Sequence, residues 1–364
     1  MNQSFRVIGL MSGSSLDGLD IAYCEFNFSE SNWSFEMLKT EVIPFASEWI
    51  KDLQQLPSAN AKALWERHTS LGHYFGEQVK HFIAHHNLGG QVDLVSSHGH
   101  TIFHFPDKQF TTQIADGAAI AAACGLPVVC DFRSADIAHG GQGTPIVPIG
   151  DLHLFRAYRF CLNVGGIANI SCKMEKSVVA FDICAANQVL NKLANHFNAE
   201  YDEDGKLAAS GSVNTELLEE LNQLDYYAKP YPKSLDNSFS RERVMPIIEA
   251  HQISFEDKLR TYTEHVALQL STHIQMICKR ESILLHDKDK MLVTGGGAFN
   301  RFLMQRIKVL SGIDVIVPDE EIVKFKEALV IAFMGVLRIR KQANVLCSVT
   351  GASKDTIGGA VYLP

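Results

Sequence analysis

Met11-Ser12-Gly13-Ser14-Ser15-Leu16-Asp17-Gly18-Leu19-Asp20 is the stretch of this chain best equipped for chemistry. Apolar runs flank it, Phe5–Leu10 before and Ile21–Phe26 after. The pattern predicts a β-hairpin with a small polar tip. A tip of Gly and Ser lets a ligand approach the backbone closely, where N–H groups and hydroxyls can surround anionic oxygens. Asp17 and Asp20 add carboxylates suited to holding Mg2+ beside a nucleotide phosphate. No GxxxxGK[ST] follows, so the turn is not a P-loop. An ordinary polar turn is the competing reading.

Four further clusters carry chemistry. Val178-Val179-Ala180-Phe181-Asp182 reads as a strand ending in a carboxylate, with a helix opening next. Strand ends in α/β domains are common mounts for a general base, and a helix-capping Asp is the alternative. Ser97-His98-Gly99-His100-Thr101-Ile102-Phe103-His104 gathers three His. The spacing permits zinc, but no Asp, Glu or Cys nearby completes a ligand set, so polar lining of a substrate pocket is favoured. Asp131-Phe132-Arg133, with Asp136 beyond, puts an Arg at a strand end. That Arg suits a carboxylate or phosphate, or else an internal Arg–Asp pair. Gly295-Gly296-Gly297 lies between a strand and a helix and would let a nucleotide come close, although it lacks GxGxxG spacing.

The elements that must position these groups alternate along the chain. A second hairpin, Arg159–Val164 and Ile167–Cys172 around Gly165-Gly166, echoes the first. The echo predicts two halves of related architecture, with a ligand held in a cleft between facing Gly-bearing tips. Helices are expected over 61–86, 116–124, 188–197, 254–278 and 327–339, and buried strands over 92–97, 127–132 and 291–294. Ser254 with Asp257 marks a helix start. The class is α/β with two domains.

Composition bounds the rest. With 46% hydrophobic and 20% charged residues the chain is globular, and its formal net charge is −8. No Lys/Arg block appears, which argues against nucleic acid or an anionic membrane as partner. The start of the chain shows no signal-peptide pattern, and no apolar run approaches the ~20 residues that span a bilayer. The eight Cys are scattered without a CxxC pair, as small buried hydrophobes in a reducing cytoplasm would be.

Taken in order, these segments resemble the anhydro-N-acetylmuramic acid kinases of the sugar kinase/Hsp70/actin superfamily. Met11–Asp20 is similar to M-S-G-T-S-x-D-G-x-D, with Ser14 for Thr, and Ser97–Thr101 to S-H-G-Q-T, with His100 for Gln. Further matches are Gln113–Gly117, Asp131–Arg133, Gly141–Pro145, Asn163–Asn169, Thr294–Asn300, Glu327-Ala328 and Val349–Ala352. The resemblance covers nearly the whole chain. It implies a two-lobed actin-like ATPase fold with an interdomain cleft. Residues 1–150 with 341–364 would form one lobe and 151–340 the other.

It also implies ATP, Mg2+ and a cytoplasmic, often dimeric enzyme of cell-wall recycling. Water would open the 1,6-anhydro bridge and the freed O6 would take the γ-phosphoryl group. By position, Gly13, Ser14, Ser15, Leu16, Asp17, Gly18, Leu19 and Asp20 would cradle the phosphates, with Asp17 toward the metal. Gly165, Gly166, Gly295, Gly296 and Gly297 would border the nucleotide. Asp182 would be the base, and His98, Arg133 and Glu327 would face the sugar and its lactyl carboxylate.

Two departures stand out. The family's F-D-T-G-P-G-N is Phe181-Asp182-Ile183-Cys184-Ala185-Ala186-Asn187 here, which puts Cβ-bearing residues where glycine backbone is expected. After Pro232-Lys233-Ser234, T-G-R-E becomes Leu235-Asp236-Asn237-Ser238, with a cation lost. These departures leave open a same-fold kinase with a shifted sugar substrate, or a non-catalytic sugar or nucleotide sensor.

Overall fold

The computed structural model describes residues 3–13, 16–174, 177–236 and 238–364. The chain divides into two compact units, 1–155 with 325–364, and 156–324. The return to the first unit therefore falls inside the Glu320–Ile339 helix, earlier than the 341 read from the sequence.

The first unit starts with an antiparallel meander of β1 (Gln3–Met11), β2 (Gly18–Ser29) and β3 (Asn32–Pro44). β4 (Leu94–Ser97) pairs parallel to β1. A separate ribbon follows, β5 (His100–Phe105) with β6 (Phe110–Ile114). β7 (Val128–Cys130) then extends the main sheet parallel to β4. In the second unit β8 (Phe160–Val164), β9 (Ile167–Lys173) and β10 (Val178–Ala185) form another antiparallel meander. β11 (Lys290–Thr294) pairs parallel to β8, and β12 (Asp314–Ile316) parallel to β11. β13 (Ala360–Tyr362) returns to the edge of the first sheet against β7.

The strand orders are β13-β7-β4-β1-β2-β3 and β10-β9-β8-β11-β12. Each unit thus adds parallel strands to the free side of the first strand of a meander. The α/β class is borne out, and the repeated order fits the actin-like plan that the resemblance implied.

Helix starts follow side-chain chemistry. The Ala61–His85 helix begins where Asn60 accepts from the Ala63 amide, and the Gly117–Cys124 helix where Asp116 accepts from Ala118. Ser254 Oγ accepts from Asp257 N at the head of the Phe255–Arg280 helix, as expected. That helix buries Leu259, Tyr262, Val266, Leu270, Ile274 and Ile277 in the second unit's core, each side chain contributing about 1.5–3 kcal/mol. The first core gathers Ile8, Leu10, Leu19, Ile21, Phe75, Val79 and Val95 among others.

Candidate functional site

In the first unit the hairpin of β1 and β2 is in register from Gln3↔Phe28 to Met11↔Asp20. Ser14 and Ser15 lie outside the described residues. Leu16 is left-handed (φ 60°), and its amide donates to Gly13 O at 3.3 Å. Leu19 is buried in the core, so only its backbone is available to a ligand. Gly18 has a packing reason of its own, because a Cβ there would strike the Ile43 carbonyl of β3.

Asp20 is pushed up to about 7, first by burial and then by Asp17 and Glu327. Three carboxylates thus crowd one region. Among the described residues they are not close enough to share an ion directly as a trio. Carboxylate oxygens are donors of the type that a hydrated Mg2+ takes, since that ion keeps several of its waters.

The Glu320–Ile339 helix begins seven residues before Glu327, earlier than expected, so Glu327 is mid-helix. Close approach sets its place. A Cβ on Gly9 of β1 would collide with the Ala328 carbonyl, and Ser96 Oγ donates to Ile331 O at 2.5 Å. Neighbouring Lys326 turns away into a buried pair with Asp151 at 2.7 Å. Glu327 is exposed to solvent by surface area, yet protein surrounds it closely. Burial raises its carboxyl, opposed by Arg133 and Lys326.

β4 ends at Ser97, and Gly99 (φ 73°) turns the chain into β5. His98 and His100 therefore do not share a strand face. His98 Nδ1 lies 3.0 Å from Gly99 O, while Arg133 Nε and Nη2 reach His98 Nε2 at 3.1 and 2.9 Å. This geometry makes Nδ1 the donor and Nε2 the acceptor of a neutral imidazole. Burial and then Arg133 push the ring down to about 3. His100 Nδ1 instead shares a hydrogen bond with Ser12 Oγ at 2.9 Å, and His104 Nδ1 one with Thr111 Oγ1 at 3.1 Å. Three His with three separate partners do not form a metal site.

β7 stops at Cys130, so Arg133 stands beyond the strand end, at the cap of the Ser134–Ala138 helix. It does not pair with Asp131 or Asp136. Nη1 donates to Gly143 O at 2.7 Å. Asp136, fully buried, instead accepts from the Gly143 amide (2.8 Å) and Thr350 Oγ1 (2.7 Å), which shapes the Gly140–Pro145 loop. Burial pushes Arg133 down to about 10, opposed by Glu327. Three of its N–H groups are used in these bonds. The fork keeps capacity for a carboxylate.

In the second unit β10 does not end at Asp182 but runs to Ala185, with a bulge between Asp182 and Cys184. Bulges re-aim side chains. Asp182 is no helix cap either, because Ala186 holds that place before the Asn187–Ala194 helix. Its Oδ2 accepts from the Leu235 amide at 2.9 Å, its own amide donates to Lys233 O (3.3 Å), and its carbonyl accepts from Tyr226 Oη (2.6 Å). Burial raises the Asp182 carboxyl, opposed by the Leu235 amide. A raised carboxyl held by one N–H is a workable general base.

Ile183, Cys184, Ala185 and Ala186 are all buried in the core, and none has positive φ. The expected loss of glycine conformation is therefore not what this segment has to accommodate. Tyr262 Oη supports it from behind, donating to Ala185 O at 2.9 Å.

The Gly165 and Gly166 carbonyls accept the Asn187, Ala186 and Gln188 amides at the start of the next helix. Gly295 (φ 81°) and Gly297 pack against Asn163 and Val164, whereas a Cβ on Gly296 would meet only Asn187 Nδ2, at 3.7 Å. Gly296 is thus the open position of the three. Sequence reading gave no supporting role to Ser12, Lys233, Leu235 or Tyr226. Two of them act through the backbone, which leaves no mark on residue type.

Among the described residues no helix is long and apolar enough to cross a membrane. A family model for anhydro-N-acetylmuramic acid kinase matches residues 5–364. The anhydro-N-acetylmuramic acid kinase of Aliivibrio fischeri is 33% identical, covering 98% of this chain and 99% of that protein. That of Hydrogenovibrio crunogenus is 32% identical, covering 98% of each. That of Coxiella burnetii is 33% identical, covering 98% of this chain and 97% of the relative. With a family model matching residues 5–364 and relatives at 32–33% identity over nearly the full length, the chain belongs to the anhydro-N-acetylmuramic acid kinase family.

Proposed function

We propose that this chain converts 1,6-anhydro-N-acetylmuramic acid, ATP and water to N-acetylmuramic acid 6-phosphate and ADP. Asp182 carries the reading: a half-buried, raised carboxylate held from both its backbone and one oxygen. It takes a proton as water attacks the anomeric carbon. The C1–O6 bond breaks, and O6 displaces ADP from the γ-phosphorus. Such transfer needs positioning and charge neutralisation more than covalent chemistry.

Arg133, oriented by neutral His98, receives the lactyl carboxylate, and Glu327 faces the sugar hydroxyls. Gly13–Asp20, Gly165, Gly166 and Gly296 border ATP, with Gly295 and Gly297 shaping the turn. Mg2+ held through water by Asp17 and Asp20 would neutralise phosphate charge. The same reading makes the protein a cytoplasmic homodimer working in cell-wall recycling. The altered Ile183–Ala186 stretch, which prompted the sensor and shifted-substrate alternatives, is core packing and leaves Asp182 supported, so neither alternative is favoured.

The test supplies purified protein with ATP, Mg2+ and the anhydro sugar and follows 6-phosphate and ADP. Turnover is expected, and Asp182→Asn should lower kcat by about 10²–10⁴-fold with ATP binding retained. Near-normal turnover in that variant would remove Asp182 from the role of base.

A further inference from the structure

We propose that Glu41, His85 and His86 form a site for a zinc-class dication, separate from every group assigned to ATP or sugar. Glu41 lies on β3, the edge strand of the first sheet. His85 is the last residue of the Ala61–His85 helix and His86 its C-cap. Two elements distant in sequence thus bring one carboxylate and two imidazoles together, all within the first unit.

The spacing is that of ligands around a metal rather than of a hydrogen-bonded pair. Glu41 Oε2 lies 3.7 Å from His85 Nδ1 and 3.5 Å from His86 Nε2. All three donor atoms fall within 4.8 Å of one another. Hydrogen bonds of this type prefer about 2.7–3.2 Å. Tetrahedral zinc with bonds of about 2.0–2.1 Å separates its ligand atoms by roughly 3.4 Å.

His86 supplies the independent observation. Its Nε2 is shut off from solvent and makes no hydrogen bond. A buried polar nitrogen that makes no hydrogen bond is unusual and calls for an explanation such as an ion. The ring is held by Phe82 behind it, with centroids 4.5 Å apart. The His85 and His86 rings lie 4.6 Å apart. Two imidazoles that close can share one dication. Nitrogen and carboxylate donors suit Zn2+, Co2+ or Ni2+ better than Mg2+. Three protein ligands leave a fourth position for water. The bound ion would clip the edge strand to the end of the helix.

The test uses chelator-treated full-length protein and the metal alone. Zn2+ is titrated by calorimetry and Co2+ by visible absorption, in wild type and in Glu41→Gln and His85→Gln. Glu41 is half-buried and His85 exposed, so both variants should keep the fold, as circular dichroism without metal would verify. Wild type should bind one equivalent of Zn2+, and each variant should lose about tenfold or more in affinity, since even outer-shell changes cost that much. The Co2+ spectrum should lack a thiolate charge-transfer band, which separates this site from the eight free Cys. Equal binding in all three proteins, no binding in wild type, or a thiolate band would each overturn the proposal.

Discussion

At the scale of single residues, the chemistry rests on who holds whom. Arg133 gives three N–H groups to His98 and Gly143, and this fixes the plane of its guanidinium. Lysine keeps the charge but not the fork. Arg133→Lys should therefore raise KM for the anhydro sugar about 10- to 100-fold, as the loss of a charged hydrogen bond worth about 1.5–3 kcal/mol implies. An unchanged sugar KM would release Arg133 from the binding role. Lys233 acts one step behind the chemistry. Its Nζ donates to Tyr226 O at 3.1 Å and shares a 2.8 Å contact with His273 Nε2, while its carbonyl and the Leu235 amide grip Asp182. Lys233→Met should loosen that grip and let the Asp182 carboxyl rise further. A raised base is protonated at higher pH, so the acid limb of kcat/KM should move upward, with kcat falling more than KM changes. A fall in activity without movement of the acid limb would reduce Lys233 to a fold-stabilising role.

At the scale of elements, glycine positions separate packing from access. A Cβ on Gly297 would enter the Val164 side chain, whereas one on Gly296 would meet only Asn187 Nδ2 at 3.7 Å. Gly297→Ala should cost about 1–3 kcal/mol in denaturant unfolding through overpacking. Gly296→Val should leave stability nearly unchanged and raise KM for ATP about tenfold, equivalent to roughly 1.4 kcal/mol of lost contact. If both variants differ only in stability, the loop is a packing device and not a nucleotide border. Elements of this kind were largely legible, because Gly-bearing tips between apolar runs marked both hairpins and Ser254 marked the longest helix. β3 was not legible. Its turn from β2 uses Glu30 (φ 51°) and Ser31 (φ 67°), a tight reversal with none of the Gly or Asn that normally announces one. The β10 bulge and the extra turns before Glu327 were also hidden. Pairing register and helix–sheet approach fix both, and neither is a local property. The site followed the same division. Asp182, Arg133 and His98 were proposed from residue type and from the family resemblance, whereas the amides and carbonyls that aim them became visible only once the strands were paired.

At the scale of the whole molecule, the buried titratable groups pull stability in opposite directions with pH. His98 and His265 are pushed down to about 3 and His273 to about 4, burial being the largest cause in each. Unfolded, each would titrate near 6.5. Below that pH the unfolded chain takes up protons that the folded one refuses, so these groups remove stability as acidity rises. Asp20 has the opposite sign. At about 7 in the fold against about 3.9 unfolded, it contributes most below pH 4, and that contribution is lost as pH rises toward 7. Asp182 and Glu327, both raised, act in the same direction as Asp20. A chain of net charge −8 thus keeps a carboxylate cluster that is disfavoured at neutral pH unless a cation reaches it. Asp20→Asn should therefore unfold at higher urea than wild type at pH 8, and this advantage should shrink steadily on descending to pH 4. Mg2+ with nucleotide should stabilise wild type more at pH 8 than at pH 5 and stabilise Asp20→Asn far less at either. An advantage independent of pH would show that Asp20 acts through shape rather than charge, and equal stabilisation of both proteins by Mg2+ and nucleotide would place the cation elsewhere.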